Sequence, residues 1–289
     1  MGKNTTFWFR TYLRISKFYP IILVFLLTGL FPVQSHGQND RQSILWGEIY
    51  GSSETNSDED YNIVNEVFIK QGLHFFKIWN KNIDVYLKAK LVHDTEPYYW
   101  NNRGELSIGT RIKPFSTFGL ILFMEYLKGF YTDREESDYP NPDDSSFYEW
   151  EGGYAFWQWW GAQPWQVKGI NLYAPFTGWR EVYSDGIYHE HDEHNVIATL
   201  DYKEGLMLAR LGSMKLDAYT TIEVSVDKNK DEWNNYIRIG PGFRITPFAK
   251  INLKLSFEYF IGRYTHGGFN ETDEDISNFV ITLAFWHGW

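Results

Sequence analysis

Apolar and polar positions alternate along much of this chain. In Ile251-Asn252-Leu253-Lys254-Leu255-Ser256-Phe257-Glu258-Tyr259 every odd position is apolar and most even ones are polar. The stretches 83–91 and 216–226 follow the same rule. A period of two places successive side chains on opposite faces of a strand, one face apolar and the other polar. Reading strands between breaks in the pattern predicts twelve: 43–51, 61–76, 82–93, 101–113, 117–131, 147–160, 176–187, 194–210, 214–226, 234–246, 250–264 and 276–289. The connections alternate in kind. Those at 112–116, 211–214 and 245–249 are short, whereas 54–60, 132–146, 185–194, 227–232 and 266–275 are longer and acidic.

Alternation alone leaves the sidedness open, because a soluble sandwich or lipocalin gives the same pattern with its apolar face inward. Three features favour lipid outside and a polar lumen inside. Short turns at one rim and long loops at the other are the habit of transmembrane barrels. The final strand keeps Phe279, Ile281, Leu283, Phe285 and Trp289 on one parity, resembling the C-terminal assembly signal of outer-membrane barrels, with His287 at a position that is usually apolar. The third feature is the leader. Lys3, Arg10, Arg14 and Lys17 precede the apolar run 21–27, and Ser35-His36-Gly37 offers small residues before a cut at Gln38, the layout of a secretory signal peptide. Pro20 and Pro32 bracket a run short of the roughly 20 residues a spanning helix needs. The expected organisation is therefore a signal peptide over 1–37 and a single closed antiparallel transmembrane β-barrel, all-β, over 38–289. Open sheets would leave polar edges unsatisfied in lipid. The acidic loops are expected outside the cell and the Pro-Phe turns in the periplasm.

Composition sharpens this picture. The formal charge is −10, and removing a leader with four basic and no acidic residues takes it to −14, a poor partner for nucleic acid. With no cysteine there is neither a disulfide framework nor a thiolate metal site. Phe, Tyr and Trp make up 19% of the chain, as aromatic girdles at two membrane interfaces would require.

The chain also repeats itself. A shift of 133 aligns Trp100-Asn101-Asn102 with Trp233-Asn234-Asn235, then Gly109 with Gly242, Arg111 with Arg244, Pro114-Phe115 with Pro247-Phe248, Glu125 with Glu258 and Tyr131 with Tyr264. It pairs Trp46, Glu48 and Tyr50 with Trp179, Glu181 and Tyr183. At the ends the shift becomes 129, where Ala155-Phe156-Trp157 echoes Ala284-Phe285-Trp286. This predicts a duplicated six-strand module, with copies over about 43–160 and 176–289, joined by a seam at 161–175.

Parity assigns a lumen face to Asp84, Lys88, Lys90, Arg103, Glu105, Arg111 and Glu125 in the first copy, and to Asp217, Glu223, Arg238, Arg244, Lys254 and Glu258 in the second. Interleaved charges of both signs fit a narrow selective pore, and equally a salt-bridged filling that stabilises a small barrel. Twelve strands give a bore between filled eight-stranded barrels and open sixteen-stranded porins. The run Glu190-His191-Asp192-Glu193, flanked by His189 and His194, offers a candidate metal site at the three histidines, against a plain acidic surface loop. Trp157, Trp159 and Trp160 read as interface anchors at a strand end, with sugar stacking as the alternative. Ser107, Ser225 and Ser256 lie on expected strands without a nearby histidine in sequence, and no GxSxG, P-loop or zinc-protease motif is present. No catalytic residue and no cofactor is implied.

The hairpin Gly242-Phe243-Arg244-Ile245-Thr246-Pro247-Phe248, with its copy around Arg111-Ile112-Lys113-Pro114-Phe115, resembles turns in the C-terminal barrels of exopolysaccharide-export proteins and of the bacteriophage adsorption protein A family. The likeness covers hairpins. The helical repeats that precede such barrels have no counterpart, since the leader runs almost directly into the first strand. The resemblance implies passage of a carbohydrate polymer or service as a surface receptor. The expectation is thus an outer-membrane channel or export pore of a Gram-negative bacterium for polar solutes or polysaccharide, with outer-membrane lipid and the barrel-assembly machinery as partners. The rivals are an outer-membrane enzyme acting on lipid and a non-conducting surface barrel.

Overall fold

The computed structural model describes residues 44–57, 62–79, 81–95, 102–115, 117–132, 146–161, 177–190, 194–212, 214–230, 234–248, 252–265 and 275–289. The expected leader, 1–37, and the seam, 161–175 (of which only Gly161 is included), lie outside them, as do most of the long acidic connections.

Twelve strands form: β1 (Leu45–Asn56), β2 (Ile63–Ile78), β3 (Lys81–Asp94), β4 (Arg103–Ile112), β5 (Ile121–Tyr131), β6 (Ser146–Gly161), β7 (Thr177–His189), β8 (Asn195–Leu211), β9 (Met214–Asp227), β10 (Tyr236–Phe248), β11 (Leu253–Tyr264) and β12 (Asp275–Gly288). Each pairs antiparallel with its neighbours in sequence, and β12 returns to β1, so the sheet closes into a barrel. Closure leaves no unpaired edge, which lipid demands. The count and the architecture match the alternation read from the sequence.

Several strands overrun their expected ends. β1 continues to Asn56 and β7 to His189, into segments read as acidic loops. Ser52, Glu54 and Asn56 pair backbone to backbone with Ala284, Thr282 and Val280, and Asp185 and His189 pair with Ala155 and Glu151. Their polarity marks the inner wall of the barrel, not the end of the strand.

The burial pattern is inverted relative to a protein dissolved in water. Leu87, Ile108, Met124, Phe243 and Ile261 are each more than half exposed, while Asp84, Glu125, Asp217 and Arg244 are 1–4% exposed. Burying apolar surface is worth roughly 25 cal/mol per Å², so such an exterior requires an apolar surrounding. Arg180 and Glu204 form an exposed outward pair that neutralises itself at 2.8 Å.

The closing seam shows how outer-face side chains lock the register. Trp289 exchanges two backbone hydrogen bonds with Gly47, each 3.0 Å, and its ring covers that glycine. The ring of Phe285 covers Gly51 in the same way. At the short-turn rim, β8 and β9 meet at Leu211 and Met214, and Gly212 between them has φ 60, a conformation that costs glycine no Cβ clash.

Candidate functional site: a charged and aromatic lumen

Inside the first half, one buried network links five strands. Arg111 on β4 donates to Asp84 on β3 at 3.0 Å and to Glu48 on β1 at 3.4 Å. Its guanidinium lies over the Trp46 ring, 3.3 Å from the centroid. Glu125 on β5 accepts from Tyr86 at 2.7 Å and Ser107 at 2.9 Å, and pairs with Lys88 and, at 3.7 Å, with Lys70. Tyr86 fits because its neighbour across the strand pair is Gly109: a Cβ there would stand 2.6 Å from the ring.

The second half repeats the plan at positions 133 further on. Arg244 on β10 donates to Glu181 on β7 at 3.0 Å and to Asp217 on β9 at 3.5 Å, over the Trp179 ring at 4.3 Å. Glu258 on β11 accepts from Lys203 at 3.0 Å and Thr221 at 2.8 Å. Tyr219 lies against Gly242, where a Cβ would be 2.7 Å from its ring. Asn102 and Asn235 tie the long-loop ends of β3 and β9 alike, each side-chain oxygen accepting from a backbone N–H, that of Asp94 at 3.1 Å and that of Asp227 at 2.8 Å. In a closed ring of twelve, β5 and β11 are six strands apart, as are β4 and β10.

The remaining charged residues form a second level. Arg103 donates to Glu105 at 2.6 Å, and Lys90 pairs with Glu66 at 3.1 Å. Arg238 makes a forked contact with Glu223 at 2.8–3.1 Å. Lys254 reaches Glu181 at 3.6 Å, from β11 to β7. That last contact bridges the second network across its half of the lumen, as Lys70 to Glu125, from β2 to β5, does the first. Lys70, Lys203, Glu48 and Glu181 complete the networks but were not singled out as lumen residues, although Glu48 and Glu181 were already aligned by the 133-residue shift, which Lys70 and Lys203 also obey.

Two readings need revision. Trp157 and Trp159 are not membrane anchors: both share the inward parity of Glu149. Trp157 donates to Glu181 at 3.1 Å, and Trp159 stacks on Trp179 with centroids 5.0 Å apart and 13° between planes. Trp160, of opposite parity, remains about half exposed. Of the candidate metal histidines, the two described ones part company. His189 turns inward to Glu149 and Glu151, whereas His194 bonds and stacks on Tyr188, which has the other parity; His191 lies outside the described residues. Ser107 is buried and donates to Glu125 at 2.9 Å.

No family model and no curated protein matches the chain. Among solved structures, the β-domain of the Bordetella autotransporter Brka aligns at 11% identity over 83% of this chain and 98% of its own, with a TM-score of 0.37. The transport unit of the autotransporter AIDA-I from Escherichia coli aligns at 10% identity over 88% and 93%, TM-score 0.28. The NanC porin aligns at 9% over 83% and 98%, TM-score 0.29. Similarity at this level assigns neither activity nor substrate. The coordinates themselves define the class: a closed twelve-stranded antiparallel barrel with an apolar exterior and a charged, aromatic interior.

Proposed function

We propose that this chain is an outer-membrane barrel of a Gram-negative bacterium that serves as a narrow channel for small polar solutes. The reading is carried by the gradient along the inner wall. At one level Trp46, Tyr86, Trp159, Trp179 and Tyr219 are all buried and the arginines are bonded on both sides, a constriction. Towards the long-loop end the inward-facing Tyr183 is 40% exposed, and the side chains of Glu66 and Asp201 keep 30% and 25% exposure. A polar vestibule above a charged constriction favours small solutes and selects them by size and charge. It is a poor fit for an extended carbohydrate polymer, which the turn resemblance would imply.

Planar-bilayer recording tests this. The folded barrel should give small, discrete conductance steps that shift in ion selectivity when Glu66 and Asp201 are changed together to Gln and Asn. Silent bilayers with correctly folded protein would hand the case to the non-conducting barrel, which the dense constriction also favours. Location and orientation are tested by labelling intact cells: a tag near Asp138 should be reachable and one near Ser116 should not. We also propose that the two halves descend from a duplicated six-strand module. The identities at a shift of 133 and the like contacts they make support that reading.

A further inference from the structure

Glu149 and Glu151 stand two residues apart on the inner face of β6, near its long-loop end, and His189 is the last residue of β7, paired in register with Glu151. The His189 Nδ1 atom lies 3.2 Å from a Glu149 carboxylate oxygen and 3.4 Å from one of Glu151. One ligand atom from each of the three lies within 4.8 Å of the others. A tetrahedral ion bonded at about 2.0–2.2 Å holds its ligand atoms about 3.4 Å apart. The spacing of the imidazole to both carboxylates therefore needs almost no adjustment to close on a single ion.

Charge points the same way. The side chains of Glu149 and Glu151 are 8% and 12% exposed. Besides the His189 imidazole itself, the cation beside them is Lys88, 3.8 Å from Glu151, and Lys88 is already paired with Glu125. The two desolvated carboxylates thus share one imidazole and part of one lysine, both of which a bound dication would supplement. The equivalent place in the other half, between β12 and β1, holds Asn278, Val280 and Asn56, with Asn56 paired to Val280 as His189 is to Glu151. The ligating side chains of the first half are therefore not repeated there.

We propose that Glu149, Glu151 and His189 bind one divalent transition-metal ion of the zinc class at the long-loop end of the lumen, clamping β6 to β7. An imidazole with two carboxylates suits zinc and its neighbours, whereas calcium and magnesium favour all-oxygen shells. The remaining coordination positions face the lumen and are left for water. The site is independent of whether the barrel conducts.

The test uses the full chain, refolded in detergent and stripped with a chelator, then titrated with Zn²⁺ against a chromophoric competitor. One zinc per barrel is expected. Glu149→Gln, Glu151→Gln and His189→Gln should each weaken binding by more than the about 10–100-fold that loss of a supporting partner costs, while the double change His191→Ala and His194→Ala should leave it unaltered. Heat-modifiable migration confirms that each variant folds. X-ray absorption at the zinc edge of the unaltered protein needs no variant: a shell with one imidazole among oxygens supports the site. No bound zinc, unaltered binding in both Gln variants of the glutamates, loss of binding with the loop histidines, or a shell of two or more imidazoles would each overturn it.

Discussion

The two halves of the lumen solve one electrostatic problem with a cation in different places. The first network sets Glu48, Asp84 and Glu125 against Lys70, Lys88 and Arg111. The second sets Glu181, Asp217 and Glu258 against Lys203, Arg244 and Lys254. Five of the six positions correspond at a shift of 133. The sixth does not: Lys88 corresponds to Thr221, and Lys254 to Ile121. Each half keeps three cations against these three carboxylates although the third cation sits on β3 in one and on β11 in the other, and each set meets a fourth carboxylate, Glu151 beside Lys88 at 3.8 Å and Asp201 beside Lys203 at 3.3 Å. What is held constant is the charge of the set rather than any single ion pair. Desolvated charges explain why: an uncompensated one costs several kcal/mol, whereas exchanging one partner for another nearby costs little.

The largest effect should come from the arginines, which are identical in the two halves. Arg111→Ala takes the guanidinium from Glu48 and Asp84, and Arg244→Ala takes it from Glu181 and Asp217. Each should lose about 3–5 kcal/mol of stability in urea unfolding from detergent or vesicles. Because β4 and β10 lie six strands apart, the losses should add to within about 0.5 kcal/mol. Strong coupling between them would show that the networks act as one across the lumen and would break the comparison.

Next comes the displaced cation. Lys88→Thr copies the second half at that position but leaves the first network one positive charge short. The expected loss is about 2–3 kcal/mol, less than for arginine because Lys70 still faces Glu125. Ile121 has the inward parity and the register of Lys254, so adding Ile121→Lys should recover about half of it. A double variant no better than Lys88→Thr alone would mean that pairing geometry, not net charge, governs the cluster.

How much of this was legible in the sequence follows from what alternation can and cannot encode. Parity fixes which face a side chain takes, so the strands and the inward charges could be read directly. It does not fix shear, and shear decides which inward residues meet. Arg111 finds Glu48 three strands away and 63 residues distant, a pairing that no local pattern announces. Acidity misled at Glu54 and Asp185, since a charged inner wall and an exposed loop have the same composition. Trp159 was misplaced because Trp157, Trp159 and Trp160 crowd one strand end and hide the parity that separates them. Glu149 and Glu151 went unnoticed because the repeat offers only Asn278 and Val280 in their place, and because the loop histidines drew attention to the wrong partners of His189.

A smaller effect should attend the tyrosine niches. Gly109→Ala and Gly242→Ala each place a methyl 2.6–2.7 Å from a buried ring that has no free direction to move. Overpacking of this kind costs about 1–3 kcal/mol. Equal losses are expected, and a difference above about 1 kcal/mol would show that one ring is less constrained than its counterpart.

The smallest effect, and the finest test, concerns a pair whose signs are reversed between the halves. Lys90 on β3 stands opposite Glu105 on β4, and the corresponding residues are Glu223 on β9 opposite Arg238 on β10. Lys90→Glu would set a carboxylate against Glu105 and Glu66 at once. Like charges directly opposite cost up to about 1 kcal/mol, so about that loss is expected. Adding Glu105→Arg restores opposite signs, but only in part, because Arg103 now donates to Glu105 at 2.6 Å and would face the new guanidinium. The second half avoids that conflict: position 236 is a tyrosine, whose hydroxyl donates to Glu223 at 2.5 Å. The triple change Lys90→Glu, Glu105→Arg and Arg103→Tyr should therefore recover about 0.5 kcal/mol more than the double change, short of the parent because Glu66 still faces the new carboxylate. If the double change recovers as much as the triple, residue 103 takes no part in the pair, and the tyrosine of the second half is there for some other contact.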